Sequence, residues 1–195
     1  MKIAILNDTH CGVRNSSDIF LQYQERFYGE VFFPYLEEHG IKNILHLGDY
    51  YEHRKFVNFK ALNANRKHFL EPMRDKGITM DIIPGNHDVY FKNTNELCSL
   101  KELLGYFTSN VNICMKPTVL DYDGLKVAVI PVGTDKLGDV IVPVVETAKA
   151  RVVSSVIFFS DPQYAHLLSH RSRIFLLQIL FASAELVVAR LNRYA

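Results

Sequence analysis

The 195-residue chain is short of several things, and each shortage narrows what it can be. It has three cysteines, Cys11, Cys98 and Cys114, with no CxxC spacing among them. Three thiols cannot all pair within one chain, so a fully closed disulfide framework is excluded and a reducing, cytoplasmic setting is expected. It has almost no net charge, 22 Lys and Arg against 21 Asp and Glu. No global basic field therefore draws it to nucleic acid, although a local patch or bound metal ions could still hold phosphates. The opening "MKIAILNDTH" meets Asn7 and Asp8 too soon for a signal peptide. The most apolar stretch, "IFLLQILFASAELVVARLNRYA", is broken by Gln178 and Glu185. A span needs about 20 predominantly apolar residues, so no membrane crossing is expected and the stretch reads as a soluble or partner-seeking helix. Internal repeats and low-complexity linkers are missing, and no glycine follows Gly138.

What is present is ordinary in bulk, with 48% hydrophobic and 22% charged residues. The length suits one domain, with or without an appendage. "KIAILN", "IKNILHLGD" and "ITMDIIPGNHD" are short apolar runs of the kind that form strands buried on both faces. Between them lie helical stretches. The first follows Ser16, Ser17 or Asp18 as cap, carries Ile19, Phe20, Tyr23, Phe27 and Val31 at steps of three or four, and stops at Gly40. Pro34 is expected to kink it near its end. The second runs from Val57 to Lys76, is bent or divided by Pro72, and stops at Gly77. A third, "TNELCSLKELLGYF", has Thr94 as cap and Leu97, Leu100, Leu103 and Leu104 as apolar face. "NVNICM" follows, and Asp123-Gly124 joins "TVLDY" to "LKVAVIPV" as a hairpin. This alternation predicts an α/β fold with a largely parallel sheet, helices on its faces and an added β-hairpin.

In such sheets ligands bind outside the carboxyl ends of the strands. The polar clusters "NDTH", "GDYYEH" and "GNHD" fall at those ends. Asp8 and His10 are two apart and would point the same way in extended chain, converging a carboxylate and an imidazole. Asp49 follows Gly48, where the backbone can turn tightly, and its two oxygens can bridge two metals. Asn86 offers a neutral amide oxygen suited to Mn or Mg. His87 could sit beside a metal-held phosphate, and Asp88 could orient it. Each cluster alone is ordinary turn or cap chemistry. Three of them in this order, at three successive strand ends, are not.

D-x-H, G-D and G-N-H-D in this order resemble the signature of calcineurin-like metallophosphoesterases. The resemblance implies a layered α/β fold and two divalent ions, Mn or alternatively Mg, that activate water for attack on a phosphate ester. It implies that Asp8 and His10 bind one metal, that Asp49 bridges and that Asn86 binds the other. His87 and Asp88 are implied as catalytic residues. "LGDYYEHRK" and "GNHDVYFKNT" are most similar to SbcD-type nuclease subunits, above all those of large bacteriophages. These act on DNA ends in recombination and double-strand break repair with an SbcC-type ABC ATPase, and a homodimer is compatible with this. Arg54, Lys55, Tyr90 and Lys92 are then candidate DNA contacts. Tyr50, Tyr51, Tyr90 and Phe91 are either base-stacking residues or core.

The pattern departs in two places. Cellular members often carry a histidine three residues after the bridging Asp. Here that residue is Glu52, with His53 one step later as a further catalytic candidate. The family's downstream G-H-x-H segment has no counterpart after Gly138, where only His166 and His170 remain. Residues 1–131 therefore read as the N-terminal part of the nuclease core. Residues 132–195 read as a divergent segment, as a truncated, rearranged or frame-shifted copy would produce. His39, His46 and His68 read as structural. The competing functions are a catalytically incomplete DNA- or partner-binding module and a small-molecule phosphodiesterase or protein phosphatase on the same scaffold.

Overall fold

The structure, a computed structural model, describes residues 2–107, 109–132, 155–159 and 187–190. Its first half alternates strand and helix: β1 (Ala4–Asn7), a long helix α1 (residues 18–38), β2 (Asn43–His46), a second long helix α2 (residues 59–75), β3 (Thr79–Ile82), a short helix α3 (Ser99–Leu104) and β4 (Val111–Ile113). Each parallel pairing needs a crossover, and here each crossover carries a helix. The sheet order is β4-β3-β2-β1-β8, with β8 (Val187–Arg190) parallel to β1. The four described residues of the apolar tail are thus strand, not the helix expected there. The backbone of β8 pairs with all four residues of β1 and satisfies its open edge.

A second sheet has the order β5-β6-β7, from β5 (Thr118–Tyr122), β6 (Leu125–Ile130) and β7 (Ser155–Phe159). β5 and β6 form the expected hairpin. Asp123 and Gly124 both take positive φ, 50° and 91°, as a primed turn requires.

Alternation along the central strands divides the core. Ala4, Leu6, Ile44, Met80 and Ile82 face the helices, whereas Ile3, Ile5 and Leu45 face Tyr122, Val127 and Val129 of the hairpin sheet. The described helices therefore all cover one face, and the second sheet covers the other.

Helices α1 and α2 share one irregularity. α1 comprises Asp18–Arg26, a π-helical stretch Phe27–Phe32, and Phe33–Glu38. α2 comprises Phe59–Asn65, a π-helical stretch Arg66–Leu70, and Glu71–Asp75. In both, a proline stands two residues beyond the π stretch, Pro34 or Pro72. Proline has no N–H to give and its ring crowds the turn before it, and a widened turn accommodates both effects. The buried face of α1 differs from the expected one. Leu21, Tyr28, Phe32, Phe33 and Leu36 are buried, while Ile19, Tyr23 and Val31 of the expected face are exposed. Thr94 caps a turn rather than the helix, which starts at Ser99. His166 and His170 lie outside the described residues. Among the described residues, no helix is long and apolar enough to cross a membrane.

Candidate metal centre

The three polar clusters form one assembly because their loops are zipped together beyond the strands. His10 N–H donates to the Asp49 carbonyl (3.0 Å) and Cys11 N–H to that of Tyr50 (2.8 Å). Glu52 N–H returns to the Cys11 carbonyl (3.1 Å). The second and third loops meet glycine to glycine. A side chain on Gly48 would strike the Gly85 backbone, and one on Gly85 would strike the backbone and carboxylate of Asp49. Only the missing Cβ atoms allow this approach, and Gly48 also takes a φ of 95°.

Buried polar groups brace the assembly from below. The Gly48 N–H donates to His46 Nδ1 (3.2 Å), leaving the proton on Nε2, which faces Thr9 Oγ1 at 3.0 Å. Thr9 Oγ1 in turn donates to the Tyr50 carbonyl (3.2 Å). Burial holds His46 neutral, with its pKa pushed down to about 3. The structural reading of His46 fits this arrangement.

Asp88 is placed differently from the expectation that it backs His87. Its buried carboxylate accepts the N–H groups of Gly85 (2.9 Å), Tyr50 (3.0 Å) and Tyr51 (3.2 Å). It therefore staples the third loop to the second. Burial raises its pKa to about 7, against the three N–H donors that favour the charged form. His87 leans elsewhere: its Nδ1 donates to the Glu52 main-chain carbonyl (2.6 Å). A carbonyl can only accept, so this bond fixes the proton on Nδ1 and leaves Nε2 as the free nitrogen.

Above this base the donors converge. One ligand atom each from Asp8, His10 and Asp49 lies within 4.8 Å of the others, and the same holds for His10, Glu52 and His87. Atoms bound to one ion at ordinary metal–oxygen or metal–nitrogen lengths stand at most about 4.4 Å apart, so a contraction of a few tenths closes either set. The segment is not extended as expected, because Asp8 and His10 have φ of 54° and 42°. They still converge, with His10 Nε2 3.4 Å from Asp8 Oδ1. Asp49 has a φ of 53°, so all three donor residues of the first set are held in the left-handed region.

The charges respond to this crowding. Its hydrogen bond with His10 lowers the Asp8 pKa, whereas burial raises that of Asp49. Burial pulls His10 down, but Asp8, Asp49 and Glu52 outweigh it and raise its pKa. His10 Nδ1 is buried and, although 2.9 Å from Glu52 Oε2, makes no hydrogen bond because the contact is out of line. Oxygen and imidazole donors without thiolate, strained backbones and an unbonded buried nitrogen fit a divalent cation of the Mn or Mg kind.

Asn86 borders the first set. Oriented by its hydrogen bonds, its amide nitrogen donates to Asp49 Oδ2 and its oxygen accepts from Arg54 Nη2, both at 3.2 Å. Arg54 is thus brought to the centre. Lys55, Tyr90 and Lys92 are exposed, with Lys55 Nζ 5.5 Å from the Tyr90 ring centroid. The four aromatics divide: Tyr50 and Tyr51 are core, while Tyr90 and Phe91 are exposed. His53 is not drawn in and stacks on Phe56 at 4.5 Å. Glu52 takes its place beside the histidines. The signal for Glu52 lay in the sequence, since it stands three residues after Asp49, within the same polar cluster at the end of β2.

A family model for calcineurin-like phosphoesterases matches residues 1–171, and the chain belongs to that family of metal-dependent hydrolases. Over 131 residues it is 32% identical to exonuclease subunit 1 of Enterobacteria phage T4. That stretch is 67% of this chain but 38% of the phage protein, so the chain spans less than two fifths of that relative. Among solved structures it is similar to an archaeal phosphodiesterase at 20% identity and TM-score 0.42, over 80% of this chain and 70% of that one. It is also similar to the Pseudomonas putida nuclease MPE at 18% identity and TM-score 0.39, over 66% and 52%.

Proposed function

We propose that the chain is a metal-dependent DNA phosphodiesterase, the nuclease part of a complex that processes DNA ends in recombination and repair. The observation that carries this reading is the convergence of Asp8, His10 and Asp49 with His87 beside them. In this reading Asp8 and His10 would hold one ion, Asp49 would be shared between the two, and Asn86 would offer its amide oxygen to the second. Two divalent ions, Mn by preference, would neutralise the ester and supply an acidified water. His87, its Nδ1 anchored on Glu52, turns Nε2 to the substrate to stabilise the phosphate or protonate the leaving oxygen. Asp88 contributes by holding the loops. Arg54, Lys55, Tyr90 and Lys92 line the path of the DNA backbone and its end.

Similarity to a phage protein named exonuclease subunit supports a DNA substrate and a partner subunit, here an SbcC-type ABC ATPase. The setting is the cytoplasm, and self-association as a homodimer belongs to the same reading. Residues 1–131 form the nuclease core and residues 132–195 a divergent segment. A second reading, a binding module of incomplete chemistry, is favoured by Asn86, whose amide is already engaged by Asp49 and Arg54.

The test is Mn-dependent cleavage of end-labelled duplex DNA. Asp49→Ala should abolish it, and His87→Ala should slow it by about 100- to 10,000-fold. Cleavage unchanged in both variants would overturn the site. DNA binding without any Mn-dependent turnover would select the binding module.

A further inference from the structure

We infer that Glu52 is the positioning residue for His10: its carboxylate takes the Nδ1 proton of His10, so that Nε2 is presented to the metal. This rests on the metal-centre reading above and adds to it a residue outside the Asp8–His10–Asp49 set.

The geometry supports this in three ways. The two nitrogens of His10 face different groups. Nε2 lies on the side of Asp8, 3.4 Å from Oδ1, and Nδ1 lies on the side of Glu52, 2.9 Å from Oε2. A ring with one nitrogen on an acceptor and the other in a donor set must carry its proton on the acceptor side when an ion is bound. Second, Nδ1 is buried and makes no hydrogen bond to any group among the described residues, so nothing described competes with Glu52 for it. The bent contact needs only a small rotation of the ring or carboxylate. Such a rotation accompanies the closing of the donor set around a cation.

Third, Glu52 is itself held in place. Its N–H donates to the Cys11 carbonyl (3.1 Å), one residue beyond His10. Its own carbonyl accepts from His87 Nδ1 (2.6 Å). One residue therefore anchors the Nδ1 side of both histidines, one through its side chain and the other through its main chain. The two rings meet edge to face at 4.9 Å. A glutamate suits the task because its carboxylate reaches His10 while its backbone stays against His87.

This split gives the test an internal control, since replacing the side chain removes the His10 anchor and leaves the His87 anchor. Two measurements on the full chain suffice: calorimetric titration with Mn²⁺ alone, and nitrogen-15 spectra of the histidine side chains in protein loaded with diamagnetic Mg²⁺. Glu52→Ala should weaken Mn²⁺ binding about 10- to 100-fold, and Glu52→Gln, which keeps an acceptor oxygen, should weaken it less. The Nδ1–H signal of His10 should shift or vanish by exchange in Glu52→Ala, while that of His87 stays. Unchanged Mn²⁺ affinity in Glu52→Ala, or equal shifts at both histidines, overturns the role of Glu52 alone. Failure of the unaltered protein to bind Mn²⁺ overturns the metal centre and this inference with it. Should Glu52→Ala not fold, Glu52→Gln carries the comparison, with unaltered affinity and spectra again counting against it.

Discussion

The loops at the strand ends and the aromatic layer under α1 and α2 lie within the same fold and differ in how far their groups are at rest. In the layer, Tyr28, Phe32, Phe33 and Phe69 meet ring to ring at centroid distances of 4.7–6.4 Å, in tilted and edge-to-face pairs that aromatic quadrupoles favour. In the loops, three donor residues sit at positive φ, at a cost of about 1–3 kcal/mol each, and carboxylates crowd one another. The comparison teaches a division of labour. The layer and the buried staples hold the backbone so firmly that the loops can keep donors in a geometry they would leave on their own.

Breaking the loops should therefore affect function and spare stability. Asp49→Asn keeps an oxygen for the His87 N–H but removes a buried charge. Its Mn²⁺ affinity should fall by more than about 100-fold, whereas the metal-free melting temperature should hold or rise, as relief of a strained site predicts. Calorimetry and thermal melts read the two quantities separately. A large loss of melting temperature would show that Asp49 supports the fold rather than draws on it.

Breaking the layer should do the reverse. Phe69 touches Tyr28, Phe32, Phe33 and Tyr50. Phe69→Ala should cost about 3–5 kcal/mol in denaturant unfolding. The fraction that remains folded should bind Mn²⁺ as tightly as the parent. A matching loss of affinity would mean that the layer tunes the site directly.

The smallest effect separates two buried groups in the bracing. His46 has its pKa lowered from 6.5 to about 3, so the unfolded chain binds the extra proton between those values and stability falls as pH drops. Asp88 is raised from 3.8 to about 7, so the folded chain binds the proton and stability rises as pH drops through that window. Between pH 3.8 and 6.5 the two oppose each other. His46→Gln removes one side. Relative to the parent, its stability should climb as pH falls from about 6.5 to 4, by up to about 1.4 kcal/mol per unit. Parallel profiles for the two proteins would contradict the neutral, buried state of His46.

Much of this was legible in the residues. Each parallel strand is a short apolar run that ends where polar residues begin, so the strands and their polar ends could be read together. The hairpin turn was legible because few pairs other than Asp-Gly accept two positive φ values. The apolar face of α1 was not legible because two sets of apolar residues recur at helical steps, and only packing decides that Leu21, Tyr28, Phe32 and Leu36 turn inward while Ile19, Tyr23 and Val31 stay exposed. The role of Asp88 was misread because adjacency to His87 in sequence suggested contact, whereas the chain turns the two side chains apart.

The sequence by itself determined where the polar clusters fall, because a strand buried on both faces accepts a polar side chain only where a partner meets it, as Tyr122 meets Asp81 and Thr9 meets His46. Contacts between loops were decided only by the tertiary structure. Gly48 and Gly85 bring two backbones into touch, and from that contact follow the Asp88 staple, the burial of Tyr50 and Tyr51, and the placing of Glu52 beside His10. Such partners lie about 40 residues apart in the chain, and only the packing of one loop on another makes them neighbours.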